Sequence, residues 1–308
     1  MGKARKLDKR RKSIKNIRKI TRTMELIATA RFQQAIQRAT AVSAYADRIH
    51  ALVVELERAG TELSHPLLAP REATRSAALL VLTANRGMCG GYNASVLRNS
   101  MPRYHELKEQ YDRLSVEVSG KRGISALRFR GFKLDHAYQQ FEDKPQFAEV
   151  HELATRYLAA YADRVIDRLD VSYTKFISHA RQEAVIETLL PLGDLGATKP
   201  KGVRKGPWKP ARVRGGFLEG RQIQYEFLPS AESILEELIP QSFKIRLFRC
   251  FLDAAVSEQI ARMVAMKSAT DNADQMIKQL SMTYNRARQT QITNEIMEVL
   301  GGAEALKK

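Results

Sequence analysis

The sequence predicts an α/β chain: a long antiparallel coiled coil of N- and C-terminal helices, with a small Rossmann-like α/β domain between them. Three observations carry that expectation. Residues 3–58 hold neither proline nor glycine and repeat apolar side chains at three- and four-residue intervals. Residues 241–300 do the same. Between them, short apolar runs alternate with helical stretches and are punctuated by glycine turns.

The first helix reads as a heptad. One column holds Ile14, Thr21, Ala28, Ala35, Val42, Ile49 and Leu56, and the second holds Ile17, Met24, Arg31, Arg38, Tyr45 and Leu52. Ten of these thirteen positions are apolar, so the seam lasts about six heptads, long enough to specify a coiled coil. Gly60, Pro66 and Pro70 end it, which sets a helical region over residues 1–60.

The middle region, residues 75–228, reads as strand, helix, strand, helix, strand. The run at 76–83 (SAALLVLT) is apolar on both faces, as a buried central strand requires. A turn at Asn85-Arg86-Gly87 and Gly90-Gly91 leads into a helical stretch to Asp112. Residues 114–118 alternate as a second strand, 146–169 read as a helix and 171–179 as a third strand. That alternation predicts a largely parallel sheet. Residues 193–216 are rich in Gly, Pro and Lys and read as a loop, and residues 221–228 (RQIQYEFL) return as a strand.

The last helical region covers residues 230–308. Its seam runs through Ile245, Phe248, Leu252, Ala255, Met266, Ala269, Ala273, Met276, Leu280, Ala287 and Met297, with Gln259, Arg262 and Thr283 as polar insertions. Gly301 and Gly302 supply a stop. Sixty residues at 1.5 Å rise make a rod of roughly 90 Å, far beyond what a small α/β domain covers. The projecting part must lie in water as a two-helix rod or inside a partner. Ile27, Ile36, Val53, Met263, Val264 and Val299 lie off the seams and point to an enclosing sleeve.

The chain has 308 residues and a formal net charge of +17. Residues 1–22 carry eleven Lys or Arg against one Asp, and residues 193–216 carry seven against one. Such clusters imply an anionic partner: nucleic acid, anionic lipid or an acidic protein surface. Cys89 and Cys250 are far apart and build neither a disulfide framework nor a zinc pair, consistent with two reduced thiols. No stretch approaches the ~20 apolar residues of a membrane span. The basic N-terminus lacks a secretory apolar region and runs directly into the helical pattern, so it reads as mature sequence.

Gly87-Met88-Cys89-Gly90-Gly91 follows a strand and precedes a helix, where phosphate loops sit, but it matches neither GxxxxGK[ST] nor GxGxxG. A packing turn is the other reading. Gly120-Lys121-Arg122-Gly123 likewise reads as an anion cradle or a solvated turn. His50, His65, His105, His136, His151 and His179 lack metal-ligand spacing, and no nucleophile or carboxylate pair stands out. The residues therefore imply no catalytic group, no cofactor and no metal.

Four motifs resemble one family in its own order. Arg11 to Ala28 (RKSIKNIRKITRTMELIA) is similar to the opening helix of ATP synthase gamma subunits. Arg86 to Asn93 (RGMCGGYN) resembles their glycine turn, and Glu258 to Ala273 (EQIARMVAMKSATDNA) their C-terminal helix. Tyr284 to Gln289 (YNRARQ), Ile292-Thr293 and the ending Gly302 to Leu306 complete the match. Ala84-Asn85 departs from the family's Ser-Asp, and residues 193–216 do not align with the family's pattern.

The resemblance implies a central rotor shaft, not itself catalytic, in the central stalk of an F-type ATP synthase. It would couple proton or Na+ flow through the c-ring to ATP synthesis or hydrolysis at the beta subunits. The rod would sit in a ring of alternating alpha and beta subunits, and the central domain would meet the epsilon subunit and the c-ring. Membrane association would be peripheral and indirect, at the cytoplasmic face of a bacterial inner membrane or its organellar equivalent. By motif position, Arg288, Gln289 and Thr293 would bond to beta-subunit loops, and Arg262 lies in the arginine-bearing motif of the same helix. Met24, beside Lys19 and Arg22, would face an acidic beta-subunit segment. The alternative is a basic coiled-coil nucleic-acid-binding protein, suggested by the +17 charge and opposed by the lack of a base-reading motif. The resemblance itself implies no direct nucleic-acid contact.

Overall fold

A central strand apolar on both faces must be covered on both, and that requirement organises the middle of the chain. The computed structural model describes residues 2–58, 67, 71, 74–141, 144–192 and 231–305. In chain order the elements are α1 (Gly2–Arg58), β1 (Ser76–Leu82), α2 (Tyr92–Gln110), β2 (Arg113–Ser119) and α3 (Lys121–Phe129). There follow β3 (His136–Tyr138), α4 (Phe147–Ala162), β4 (Arg168–Ser178), β5 (Arg181–Leu190) and α5 (Ala231–Ala305). The expected basic loop at 193–216 and strand at 221–228 lie outside the described residues.

The sheet has the order β3-β2-β1-β4-β5. β1 pairs in parallel with β2 and β4, β3 runs parallel to β2, and β5 is antiparallel to β4. Side chains alternate across β1. Ala77, Leu79 and Val81 pack with Val116, Val118, Val96, Leu107, Ile124 and Leu127 under α2 and α3. Ala78, Leu80 and Leu82 pack with Leu153, Tyr157, Phe243 and Leu247 under α4 and α5.

Five elements differ from expectation, two of them simply: β3 is only three residues long and shows no alternation, and α5 runs through the expected stop at Gly301-Gly302 to Ala305. α4 stops at Ala162 and not at 169, because Arg164 adopts a left-handed φ of 56° and turns the chain into β4. α3 starts at the Gly120–Gly123 segment that reads as a turn in sequence. β5 has no counterpart in the sequence reading: its ten residues carry Arg181, Glu183 and Glu187, which break the apolar run, and Glu187 finds partners elsewhere in the fold. Tyr173 Oη donates to Glu187 Oε2 at 2.8 Å, and Arg246 Nη2 lies 3.3 Å from Glu187 Oε1. On the other face Asp170, fully buried, is held by Arg103 Nε at 2.7 Å, Arg168 Nε at 3.0 Å and Thr188 Oγ1 at 2.8 Å.

The contacts divide the chain into two units, Met1–Ala30 with Arg262–Lys308, and Arg31–Ala261. In the second, every residue of α5 from 251 to 260 is buried. There Phe32 and Ala35 of α1 pack on Val256 and Ile260, with Ile36 and Phe176 alongside.

Candidate functional site

The first unit is an antiparallel helix pair. Thr21 meets Thr270 (Oγ1 to Oγ1, 2.9 Å), Arg18 Nη1 meets Asp274 Oδ1 at 2.8 Å, and the Arg11 guanidinium sits 4.7 Å from the Tyr284 ring centre. The partner number rises as the α1 number falls, which defines the antiparallel direction. One heptad column behaves as expected: Thr21 and Ala28 on α1 and Met266 and Ala273 on α5 are buried.

The other column does not. On α5 the buried or half-buried second column is Thr270, Ile277, Tyr284 and Gln291, one residue beyond the expected Ala269, Met276 and Thr283. On α1 the residues reaching across are Arg11 and Arg18, while Ile17 is 46% exposed. The period is legible in the sequence, and the second column on α5 falls one residue on, where Thr270, Tyr284 and Gln291 carry polar atoms that a hydrophobic pattern skips.

The shift leaves an apolar strip outward. Ile17, Ile20 and Ile27 are exposed and Met24 is half-buried among them. Ile17, Ile20, Met24 and Ile27 recur at helical spacing and so share one side of α1. Next to this strip a groove of about 600 Å³ is lined by Arg18, Lys19, Arg22, Thr23, Thr270, Asp271 and Asp274. Lys19 and Arg22 are exposed, and Arg22 Nη1 makes a forked contact to Glu25 at 2.9 and 3.0 Å. On α5 Arg288, Gln289 and Thr293 are exposed, and the Thr293 hydroxyl donates to the Gln289 carbonyl at 3.0 Å. Arg262 stands apart, only 6% exposed. From Arg262 to Thr293 the helix runs roughly 45 Å. The seven residues therefore form separate stations along the pair and not one pocket. Ile17 stands outward although the heptad places it in the seam, Ile20 belongs to neither expected column, and Ile27 is exposed as its off-seam position predicts. Of the off-seam apolars, Ile27, Val264 and Val299 are exposed, Ile36 is packed, and the Val53 side chain lies outside the described residues.

At the carboxyl ends of the strands, the two glycine segments are closed on themselves. The first N–H groups of α3 are taken: Lys121 N–H by Asn85 Oδ1 at 3.0 Å, Arg122 N–H by the Ala84 carbonyl at 3.1 Å, and Gly123 N–H by Thr83 Oγ1 at 3.0 Å. An anion would have to displace these. The crevice between β1 and β4 is the place where doubly wound sheets take ligands. Here Ala84, Cys89 and Tyr92 of the Arg86–Gly91 turn region are buried there and pack against Ala261. The packing reading of Gly87–Gly91 agrees with this geometry, whereas Gly120–Gly123 is neither a solvated turn nor an open cradle but the capped start of α3, with Lys121 and Arg122 exposed and Gly123 buried. Burial pushes the Cys250 thiol far above its ordinary range, with Glu187 and Asp253 adding to it, so it is held as the neutral thiol. Among the described residues, no cluster of three His, Cys, Asp or Glu could hold a metal ion, and no helix is long and apolar enough to cross a membrane.

Comparison with known proteins agrees with the motifs. The pattern of the ATP synthase family matches residues 3–306. An ATP synthase gamma chain of Rhodopirellula baltica is 57% identical over 307 residues, covering all of both chains. One from Leptospira biflexa is 37% identical over 306 residues, covering 99% of this chain and all of the relative. Among solved structures, a chain of the Euglena gracilis mitochondrial ATP synthase, in its OSCP/F1/c-ring part, aligns with a TM-score of 0.63 at 18% identity. That alignment covers 99% of this chain and 95% of the other. A chain of the rotor of the same enzyme aligns with a TM-score of 0.58 at 17% identity, over 94% and 99%. At these identities the structures speak for the fold, while the full-length relatives speak for the family. Matched from end to end in pattern, sequence and fold, the chain belongs to the ATP synthase gamma-chain family.

Proposed function

We propose that this chain is the rotor shaft of an F-type ATP synthase and carries no chemistry of its own. The helix pair turns inside a ring of alternating alpha and beta subunits, and the α/β unit is the foot that meets the epsilon subunit and the c-ring. Proton or Na+ flow through the c-ring turns the shaft, and the beta subunits make or split ATP. The chain itself is peripheral, held through the complex at the cytoplasmic face of a bacterial inner membrane.

The observation that carries this reading is the outward strip of Ile17, Ile20, Met24 and Ile27 beside Lys19 and Arg22. A two-helix rod surrounded only by water would keep its large apolar side chains inward, and this one, besides its buried column, carries three isoleucines outward. An apolar strip flanked by cations suits an enclosing protein surface with acidic segments. A paired helix lacks the near-threefold symmetry of such a ring, so each shaft angle stabilises a different set of subunit conformations through differential contacts. Each charge crossing the membrane supplies about 2.3 kcal/mol per 100 mV, which the shaft transmits. Lys19, Arg22, Met24, Arg288, Gln289 and Thr293 are the residues we assign to ring contacts, with buried Arg262 reachable only if the helix pair adjusts.

The test is ATPase activity on reconstitution with the cognate alpha and beta subunits. Hydrolysis that depends on this chain, in a single large particle, supports the proposal. A chain that neither assembles nor stimulates refutes it.

A further inference from the structure

We propose that the turn Arg86–Gly91 together with Tyr92 is a grip by which the α/β sheet holds residues 254–261 of α5 against a twisting load on that helix, with Tyr92 as a torque-bearing positioning residue. This rests on the rotor reading above and assigns a task to the glycine motif, which that reading leaves unused.

The grip is built from the sequence upward. Gly90 has φ of 56° and Met88 has φ of 62°, both left-handed, so the turn is tight and two of its residues are forced to opposite sides. Met88 is 56% exposed, whereas Cys89 and Tyr92 are driven inward to 2% and 6%. Asn93 locks the turn from behind: its Oδ1 accepts the Ala84 N–H at 2.9 Å, and its Nδ2 lies 3.2 Å from Cys89 Sγ. The turn is therefore a rigid wedge and not a flexible loop.

What the wedge touches is one stripe of α5. The Tyr92 hydroxyl donates to the Ala254 carbonyl at 3.2 Å in a buried hydrogen bond. Ala261 packs against Ala84, Cys89 and Tyr92. Between them Ser257 Oγ donates to the Thr174 carbonyl of β4 at 3.1 Å, also buried. Positions 254, 257 and 261 have i, i+3, i+7 spacing and so line one side of the helix over two turns. All three are small, which lets the turn and the end of β4 come close to the helix backbone. The contacts are hydrogen bonds to main-chain carbonyls flanked by close-packed apolar atoms, and they tie α5 to both the turn and β4. The crevice that other doubly wound sheets give to a ligand is here given to the chain's own helix.

The experiment is ATP-driven pumping per ATP hydrolysed by the membrane-assembled complex, set beside ATPase of the soluble complex with alpha and beta subunits, which does not load the foot. Tyr92→Phe removes only the hydroxyl and leaves Ala254's carbonyl in the helix ladder, so the chain folds. We expect its soluble ATPase and thermal midpoint to match wild type while pumping per ATP falls. Tyr92→Ala is expected to lower pumping severalfold. An oxidised cross-link between Cys89 and an Ala261→Cys side chain is expected to restore pumping to Tyr92→Ala and to leave wild type unchanged. Unchanged pumping in both Tyr92 variants, or a cross-link that blocks a wild-type complex, overturns the grip. Failure of the wild-type chain to support ATPase at all overturns the rotor reading instead, so the two outcomes are distinguishable.

Discussion

The hydroxyls of Thr21 and Thr270 meet at 2.9 Å across the helix pair, and each residue is only 8% exposed. A polar pair in a buried column specifies alignment at some expense of stability. Each hydroxyl also has a carbonyl one turn back within reach, Arg18 at 3.1 Å from Thr21 and Met266 at 2.9 Å from Thr270, so whichever hydroxyl donates across the pair, the other's hydrogen has a carbonyl to go to. Thr270→Val should therefore remove one hydrogen bond without stranding a donor, a loss of about 1 kcal/mol. The double variant Thr21→Val, Thr270→Val should regain most of it, since two apolar groups of the same shape then face each other. Urea unfolding of the isolated chain, followed by circular dichroism, measures both. A double variant weaker than the sum of the singles would show that the pair does not work this way.

Met24→Lys places a cation in the outward apolar strip beside Lys19 and Arg22. Under the rotor proposal the extra charge binds the acidic ring segment too tightly at one angle, and ATP hydrolysis continues with fewer ions pumped per ATP. Membrane vesicles report that ratio directly. An unchanged ratio removes Met24 from the set of ring contacts.

Asp253 lies on α5 at 8% exposure, facing Lys175 of β4 and Glu187 of β5, with Arg249 on its own helix. Burial lifts its carboxyl from the ordinary 3.8 to about 6; Arg249 and Lys175 pull it down, and Glu187 pushes it further up. The folded chain thus holds this proton more tightly than the unfolded chain. The associated stability is full below about pH 4 and is lost as pH rises through 6. Asp253→Asn should gain on wild type by roughly 3 kcal/mol between pH 4 and pH 8. A difference that does not vary with pH would refute the assignment.

Gly120→Ala should cost several kcal/mol, because φ of 102° suits glycine alone and a Cβ there would collide with the Thr83 carbonyl. Gly131→Ala is the control: its φ is 80°, but a Cβ meets nothing within 4 Å, so about 1 kcal/mol is expected. Thermal unfolding of the two variants compares them. Equal losses would mean that the Thr83 contact contributes nothing.

Much of the fold was legible because its signals are local. β1 and the long helices announce themselves by composition and period, and the motifs around Met24, Cys89 and Met266 carry the family. β3 was too short to show a pattern, and β5 was hidden by charges whose partners, Tyr173 and Arg246, come from distant parts of the chain. α3 was hidden by two glycines, which the structure uses for close approach to Thr83. The seven expected contact residues were named from resemblance; that they lie in separate stations, with Arg262 buried, required coordinates.

The sequence by itself determined the helical period, the family, and the single buried column through Thr21, Ala28, Met266 and Ala273. Only the tertiary structure decided which second column completes the seam. A repeat of three and four residues specifies spacing but leaves open on which side of the first column the second one falls. The tertiary structure shows the outcome in pairings between residues some 250 positions apart, Thr21 with Thr270 in the buried column and Arg18 with Asp274 at its exposed edge, with Arg11 over Tyr284 further along. Arg11, with its side chain 24% exposed, lies across the Tyr284 ring, Arg18 reaches Asp274 along the exposed edge of the pair, and Ile17, Ile20 and Ile27 face outward.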